Sequence, residues 1–436
     1  MSTSRVPSKL RAARQAKPSR VKGLGAGLAA NAAGPAPASK PLRLGANLYI
    51  VQTQPGLEGV AWSEIAYRYG QGAAASNSSR ALPVADTSTR PRAGGKAGEF
   101  PHPKRARELA RRLVPDRAAM TIFTAPTPEP LKLLRTAEDV FAVVGYRDGL
   151  AERSDALDRI RAASRDARWL EDALATHARF VPGSRAGRRL RYRVVARMVG
   201  EHPFRRADMG REAARGIGER DDHNWRLDEE EADVEFWATM FGGEFMLALR
   251  LSGNSMRQRD YKVAHLAGSL RPSVAAALAW LSEPSAEDTV LDPFCGAGTI
   301  LIERAHLGRY RMLLGSDHDP AALRAAAQNI GPRYKPLELN PWDATAIPLE
   351  TGGVGKIVTN LPWGMRHGSH GENRRLYPQV INEFKRLVRP GGLIVMLTAE
   401  TRLMGDLMTK GMFRAEKVLR ISVLGAPAAI YVCRRR

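Results

Sequence analysis

From about residue 285 to the C-terminus, short apolar runs alternate with stretches whose apolar residues recur every three or four positions. The runs at 289–291, 312–315, 337–339, 356–359 and 393–397 are too short for buried helices and rich in Val, Ile and Leu, so they read as strands buried on both faces. The intervening segments 300–306, 321–330 and 380–388 read as helices, the last ending at Pro390-Gly391-Gly392. Strands alternating with helices predict a parallel, doubly wound sheet. After a helix at 403–409, Gly425-Ala426-Pro427 leaves no room for a crossover between strands at 417–423 and 429–433, which are therefore expected to be antiparallel. The fold class expected for this part is α/β, Rossmann-like and closed by a hairpin.

The pattern upstream is weaker. A strand at 48–53, a turn at Pro55-Gly56, a helix over 60–67 and strands at 120–123 and 140–144 suggest a small α+β module. Helices at 156–163 and 170–178, a strand at 190–198, a basic helix at 205–217 and alternating segments at 232–238 and 245–251 suggest a second. Between about 70 and 103 the chain is reduced to Ala, Ser, Gly, Pro and Arg, which reads as an insertion without a core. The expected organisation is a basic tail (1–45), a first module (46–150), a second (151–255), a linker with an Ala-rich helix at 274–281 (256–284) and the doubly wound domain (285–436).

Charge points to the class of partner. Among 436 residues the formal balance is +22, and a surface of that sign attracts polyanions, nucleic acid foremost. No apolar run approaches a membrane span and no long amphipathic helix offers anchors, so no membrane is expected. The two cysteines, Cys295 and Cys433, lack metal-ligand spacing and fit a reducing, cytoplasmic setting with no metal. Before the first acid, Glu58, seven Lys and Arg residues up to Lys22 read as a nucleic-acid-binding tail; a targeting peptide has a similar composition, and Pro and Gly argue against its helix.

The loop Asp292-Pro293-Phe294-Cys295-Gly296-Ala297-Gly298-Thr299 joins the first strand of the sheet to its helix, where such sheets bind ligands. Gly296 and Gly298 permit positive φ and close approach, and Thr299 is expected to cap the helix. The third glycine of the dinucleotide fingerprint is missing, so no pyrophosphate is expected. Asp317, with His318 beside it, ends the second strand, where a carboxylate can accept from two ribose hydroxyls; Asp319 competes for that role. Asp343 can meet an adenine amino group, and Asp292 can orient the loop or meet an ammonium. In that order on an α/β pattern closed by a hairpin, these elements predict S-adenosylmethionine and a class I methyltransferase fold. Ser269 and Leu270, just before the linker helix, are expected near the methionine end. Cys295 reads as a packed side chain, since no histidine is placed as its base.

Asn360-Leu361-Pro362-Trp363-Gly364 ends the fourth strand. The Asn360 oxygen and the Leu361 carbonyl, held extended before Pro362, can accept from one exocyclic amine. Trp363 offers a face to an extruded base, and Gly364 leaves room beside it. Arg366 and His367 follow and read equally as substrate contacts or as surface charge. Methyl transfer to an amine is governed by positioning, and carbon attack would need a cysteine near this motif.

Together with Arg259-Asp260-Tyr261, Ser269-Leu270-Arg271-Pro272-Ser273 and Gly315-Ser316-Asp317, these motifs resemble the THUMP-associated guanine-N2 RNA methyltransferases, over about 257–436. They look most like the branch that modifies the tRNA acceptor stem. Gln54-Pro55-Gly56-Leu57-Glu58 and Arg135-Thr136-Ala137-Glu138-Asp139-Val140-Phe141 are similar to that family's ferredoxin-like region, and 192–251 to its THUMP domain. The resemblance implies S-adenosylmethionine-dependent methylation of guanine N2 (guanine-6 in the branch) on a tRNA gripped by its 3′ end. Ribosomal RNA, a DNA amino group and a non-catalytic RNA-binding role are the alternatives, and a monomer is the favoured state. The insertion and the tail depart from the family pattern and leave docking open.

Overall fold

The computed structural model describes residues 47–70, 119–150, 154–184, 189–364 and 369–436. The expected tail and insertion lie outside these, except Gly70. Two seven-stranded sheets organise the described residues.

The first sheet has the order β2-β1-β3-β7-β6-β4-β5. Its strands are β1 (Leu48–Thr53), β2 (Ala119–Thr124), β3 (Asp139–Arg147), β4 (Arg189–Val199), β5 (Asn224–Leu227), β6 (Val234–Phe241) and β7 (Glu244–Arg250). Its helices are α1 (Glu58–Gly70), α2 (Ala156–Arg165), α3 (Leu170–Phe180) and α4 (Arg206–Gly218). Strand β3 pairs with β7, so one sheet runs across the two upstream modules expected from the sequence. Strand β5 was not anticipated: only Trp225 of its four residues is buried, which leaves almost no pattern to read.

The second sheet has the order β10-β9-β8-β11-β12-β14-β13. Strands β8 (Thr289–Asp292), β9 (Met312–Ser316), β10 (Leu337–Asn340), β11 (Val354–Asn360) and β12 (Val388–Thr398) are parallel. Strands β13 (Lys417–Val423) and β14 (Ala426–Arg434) close it as an antiparallel hairpin, as the short connection predicts. Helices α5 (Pro272–Leu281), α6 (Thr299–His306), α7 (Pro320–Ile330), α8 (His370–Leu387) and α9 (Thr401–Thr409) complete this part. Helix α8 starts earlier than the periodicity suggests. Ser369 and Glu372 form a reciprocal cap at its start, and Pro378 lies inside it, where a sequence reading stops. The chain runs outward from β8 through β9 to β10, then returns to β11 on the other side of β8. The strand order therefore reverses between β8 and β11, where such sheets bind their ligands.

No helix among the described residues is long and apolar enough to cross a membrane.

Candidate active site

The tips of β8 and β11 are tied directly. Thr359, fully buried, donates through Oγ1 to Asp292 Oδ1 at 2.8 Å, and Phe294 N donates to the same oxygen at 3.3 Å. The glycine loop and the residue before Asn360 thus share one carboxylate. Burial first, then the nearby Asp317 charge, raises the Asp292 carboxyl from 3.8 to about 7. Its Oδ2 is buried with no hydrogen-bond partner among the described residues, which is costly for a carboxylate and leaves an acceptor waiting for a donor.

The loop itself is open to a ligand. Gly296 has φ +51, and a Cβ there would meet nothing within 4 Å. Its N–H donates to Asp317 Oδ2 at 2.9 Å, and Asp319 N donates to Asp317 Oδ1 at 3.0 Å. A carboxylate can accept about four hydrogen bonds, so Asp317 keeps capacity for hydroxyls. Asp319 does not compete for that role: its side chain caps α7, accepting from Ala321 N at 2.8 Å. Thr299 is not the helix cap either. Gly298, left-handed at φ +76, occupies that position, and Thr299 is the first helical residue with no side-chain cap bond at this end.

His318 is exposed, with Nδ1 3.6 Å from Asp317 Oδ1. Asp343 accepts at Oδ1 from the backbone and hydroxyl of Thr345, both at 2.8 Å, which holds it below the usual carboxylate range with a smaller contribution from His318. The tips of β9 and β10 thus face each other. Cys295 is buried, and burial together with Asp292 and Asp317 pushes its thiol well up, so it is a packed side chain rather than a nucleophile. No group of three or more His, Cys, Asp or Glu side chains among the described residues could hold a metal.

Asn329 was missed in the sequence. Its buried amide donates to Ala297 O at 3.0 Å and to Ala264 O at 3.1 Å, and accepts from Ala264 N at 2.8 Å. It fastens the glycine loop to the segment that carries Ser269 and Leu270. Leu270 is buried, and its carbonyl accepts from Lys262 Nζ at 2.8 Å. A signal existed: Asn329 shares the buried face of α7 with Ala322, Ala325 and Ala326, where a lone amide needs partners.

At the β11 tip, Leu361 is buried and its N–H donates to Leu397 O at 2.9 Å. Trp363 is half-buried, and its indole Nε1 donates to Asn360 Oδ1 at 3.0 Å, so one lone pair of that oxygen is already engaged. The Pro362 carbonyl accepts from Tyr377 Oη at 2.6 Å and from Asn373 Nδ2 at 3.0 Å. Asn373 also donates to Glu400 Oε1 at 3.0 Å, and His370 pairs with Glu400 at 2.6 Å. Gly364, at φ +68, could carry no Cβ without meeting His370 N at 2.9 Å, so its role is to let α8 approach rather than to clear space beside the indole. Nothing local in the sequence marks Tyr377 or Glu400, which reach the motif from other elements. Arg366 and His367 lie outside the described residues.

Residues 259–425 match the model of the UPF0020 family, described as an RMKL-like methyltransferase domain. The chain is 31% identical over 267 residues to the Bos taurus tRNA (guanine(6)-N(2))-methyltransferase THUMP3, covering 56% of this chain and 51% of the relative. It is 30% identical to the Thermus thermophilus tRNA (guanine(6)-N2)-methyltransferase, covering 50% of this chain and 65% of that one. Over residues 259–425 the chain is similar to this methyltransferase domain. It spans about half the length of the mammalian relatives it matches. The crystal structure of TrmN from Thermus thermophilus superposes with a TM-score of 0.66 at 22% identity, covering 89% of this chain and 99% of that one, so the likeness in fold extends over both sheets. Within the matched segment, the two motifs described above sit on adjacent parallel strands.

Proposed function

We propose that this chain methylates the N2 amino group of a guanine in tRNA, in the acceptor stem and at guanine-6 as in the named relatives, with S-adenosylmethionine as donor. The observation that carries this reading is the Thr359–Asp292 hydrogen bond, because it holds a glycine loop and an Asn-Leu-Pro-Trp motif at neighbouring strand tips.

The residues fit the donor. The orphaned Asp292 Oδ2 suits its ammonium, the open space over Gly296 suits its approach, and the spare capacity of Asp317 suits its ribose. Ser269, Leu270, Phe294, Cys295, Ala297, Gly298, Thr299, His318 and Asp343 complete the surround. When bound, S-adenosylmethionine supplies an electrophilic methyl group. The chain's own part is positional. The second lone pair of Asn360 Oδ1 and the Leu361 carbonyl accept from the target amine and aim its nitrogen, while Pro362 and Trp363 shape the wall against the base. As the amine is alkylated it becomes acidic, and its proton passes to Asn360 or to water, so no strong base is needed.

The segments 46–150 and 151–255, whose described residues share the first sheet, are read as ferredoxin-like and THUMP-like parts that hold the RNA, the remainder as the linker (256–284) and the methyltransferase domain (285–436). Two buried free thiols suit a reducing cytoplasm, and a monomer is the state proposed. The test is incubation of the protein and tritiated donor with bulk tRNA, ribosomal RNA and DNA, followed by nucleoside analysis. Label in N2-methylguanosine from tRNA is the expected outcome; label confined to methyladenine, methylcytosine or ribosomal RNA overturns it.

A further inference from the structure

We propose that Trp363 is a positioning residue whose indole N–H sets the orientation of the Asn360 amide before the target amine arrives; this rests on the methyl-transfer reading above. The two ends of an asparagine amide are nearly the same size but opposite in hydrogen bonding, and only the oxygen can accept from an amine. An unrestrained Asn360 could present either end. The indole nitrogen is a donor and nothing else, so the Asn360 atom it meets at 3.0 Å is the oxygen. That oxygen has a second lone pair, which stays available.

The donor is itself held. The indole ring packs against the apolar cluster that contains Leu270 and Leu397. Behind it, Tyr377 and Asn373 fix the Pro362 carbonyl, and Gly364 brings the backbone against the start of α8 with no space for a side chain. A rigid path therefore runs from α8 through Pro362 and Trp363 to the amide. Phenylalanine would keep an aromatic face but lose the donor.

The test compares Trp363→Phe alone with the same change in an Asn360→Asp background, by single-turnover methylation at saturating RNA and donor. Alone, the substitution should slow transfer by about 3- to 10-fold, the worth of one hydrogen bond, with donor Kd and RNA KM within about twofold. A carboxylate has two equivalent acceptors and needs no orienting, so in the Asn360→Asp background the cost should fall below about twofold. Equal costs in both backgrounds overturn the proposal, because lost stacking does not depend on residue 360. Nuclear magnetic resonance gives an independent reading. The Trp363 indole N–H peak, assigned as the one missing from Trp363→Phe, should move in Asn360→Ala, and a peak that stays in place also overturns it. If wild-type protein methylates no RNA, the functional reading fails, while the resonance measurement still judges the hydrogen bond.

Discussion

Asp292→Asn isolates the most unusual group in the site. The wild-type carboxyl is raised from 3.8 to about 7, chiefly by burial. A folded-state value above the unfolded one means the protonated form favours the fold: its contribution is complete below about pH 4 and is lost as pH rises through about 7. At about 1.4 kcal/mol per unit, the whole shift is worth about 4 kcal/mol. Asparagine keeps an acceptor for Thr359 and Phe294 but cannot ionise. Urea unfolding of both proteins from pH 5 to pH 8 removes the contributions of all other groups by difference. Between pH 5 and pH 7 the wild type should lose about 2 to 3 kcal/mol that the variant does not. Parallel curves would show that Asp292 ionises normally and that its orphaned oxygen is not desolvated. The same reasoning predicts that donor affinity in the wild type weakens below about pH 7, approaching tenfold per unit, because an ammonium pairs only with the ionised carboxylate. In Asp292→Asn that dependence should vanish, leaving uniformly weak binding by calorimetry.

Asn360→Ala should lower single-turnover methylation about 100-fold or more while donor affinity, measured by calorimetry, stays within about twofold; near-normal turnover would remove Asn360 from its role. Asp317→Ala should do the reverse in the first instance, weakening donor binding by tenfold or more, since it removes an acceptor and also frees Gly296 N. Asn329→Ala strips three hydrogen bonds from buried or half-buried backbone groups and should cost about 1 to 3 kcal/mol in urea unfolding, with a parallel loss of donor affinity as the glycine loop loosens.

Legibility in the sequence tracked how local the cause was. Strands β8, β9, β11 and β12 were readable because burial on both faces leaves unbroken apolar runs, and the β13–β14 hairpin because its connection is short. The glycine loop and Asn360 to Trp363 were readable because a few neighbouring residues define them. Thr299 was misread as a cap because a hydroxyl at that position competes with a glycine that can turn left-handed one residue earlier. Asp319 could not be told from Asp317 until its bond to Ala321 N was visible. Asn373, Tyr377 and Glu400 were beyond reach, because their work depends on α8 and the end of β12 meeting the motif in space.

The seam between the sheets follows the same economy of position. Glu303, fully buried, accepts from Arg135 at 2.5 and 3.0 Å and from Tyr261 at 2.7 Å, with Arg259 3.4 Å away. Glu64 accepts from the Arg135 and Thr136 N–H groups and from the Thr136 hydroxyl, and Trp280 Nε1 donates to Ser63 at 2.7 Å. Buried ion pairs add little stability over well-packed apolar contacts, since desolvation offsets most of their attraction. Their directionality is the difference: an apolar seam tolerates sliding, whereas a carboxylate shared among several donors does not. Glu303 lies on α6, the helix that starts at the glycine loop, and Trp280 on α5, which follows Ser269 and Leu270. The proposed RNA-holding sheet is thereby anchored to the elements that border the donor site, and a base it presents meets Asn360 in a fixed frame. Misplacement by about an ångström can cost a positioning-based reaction a hundredfold, so a seam of directional bonds suits the proposed transfer, which would use no strong base.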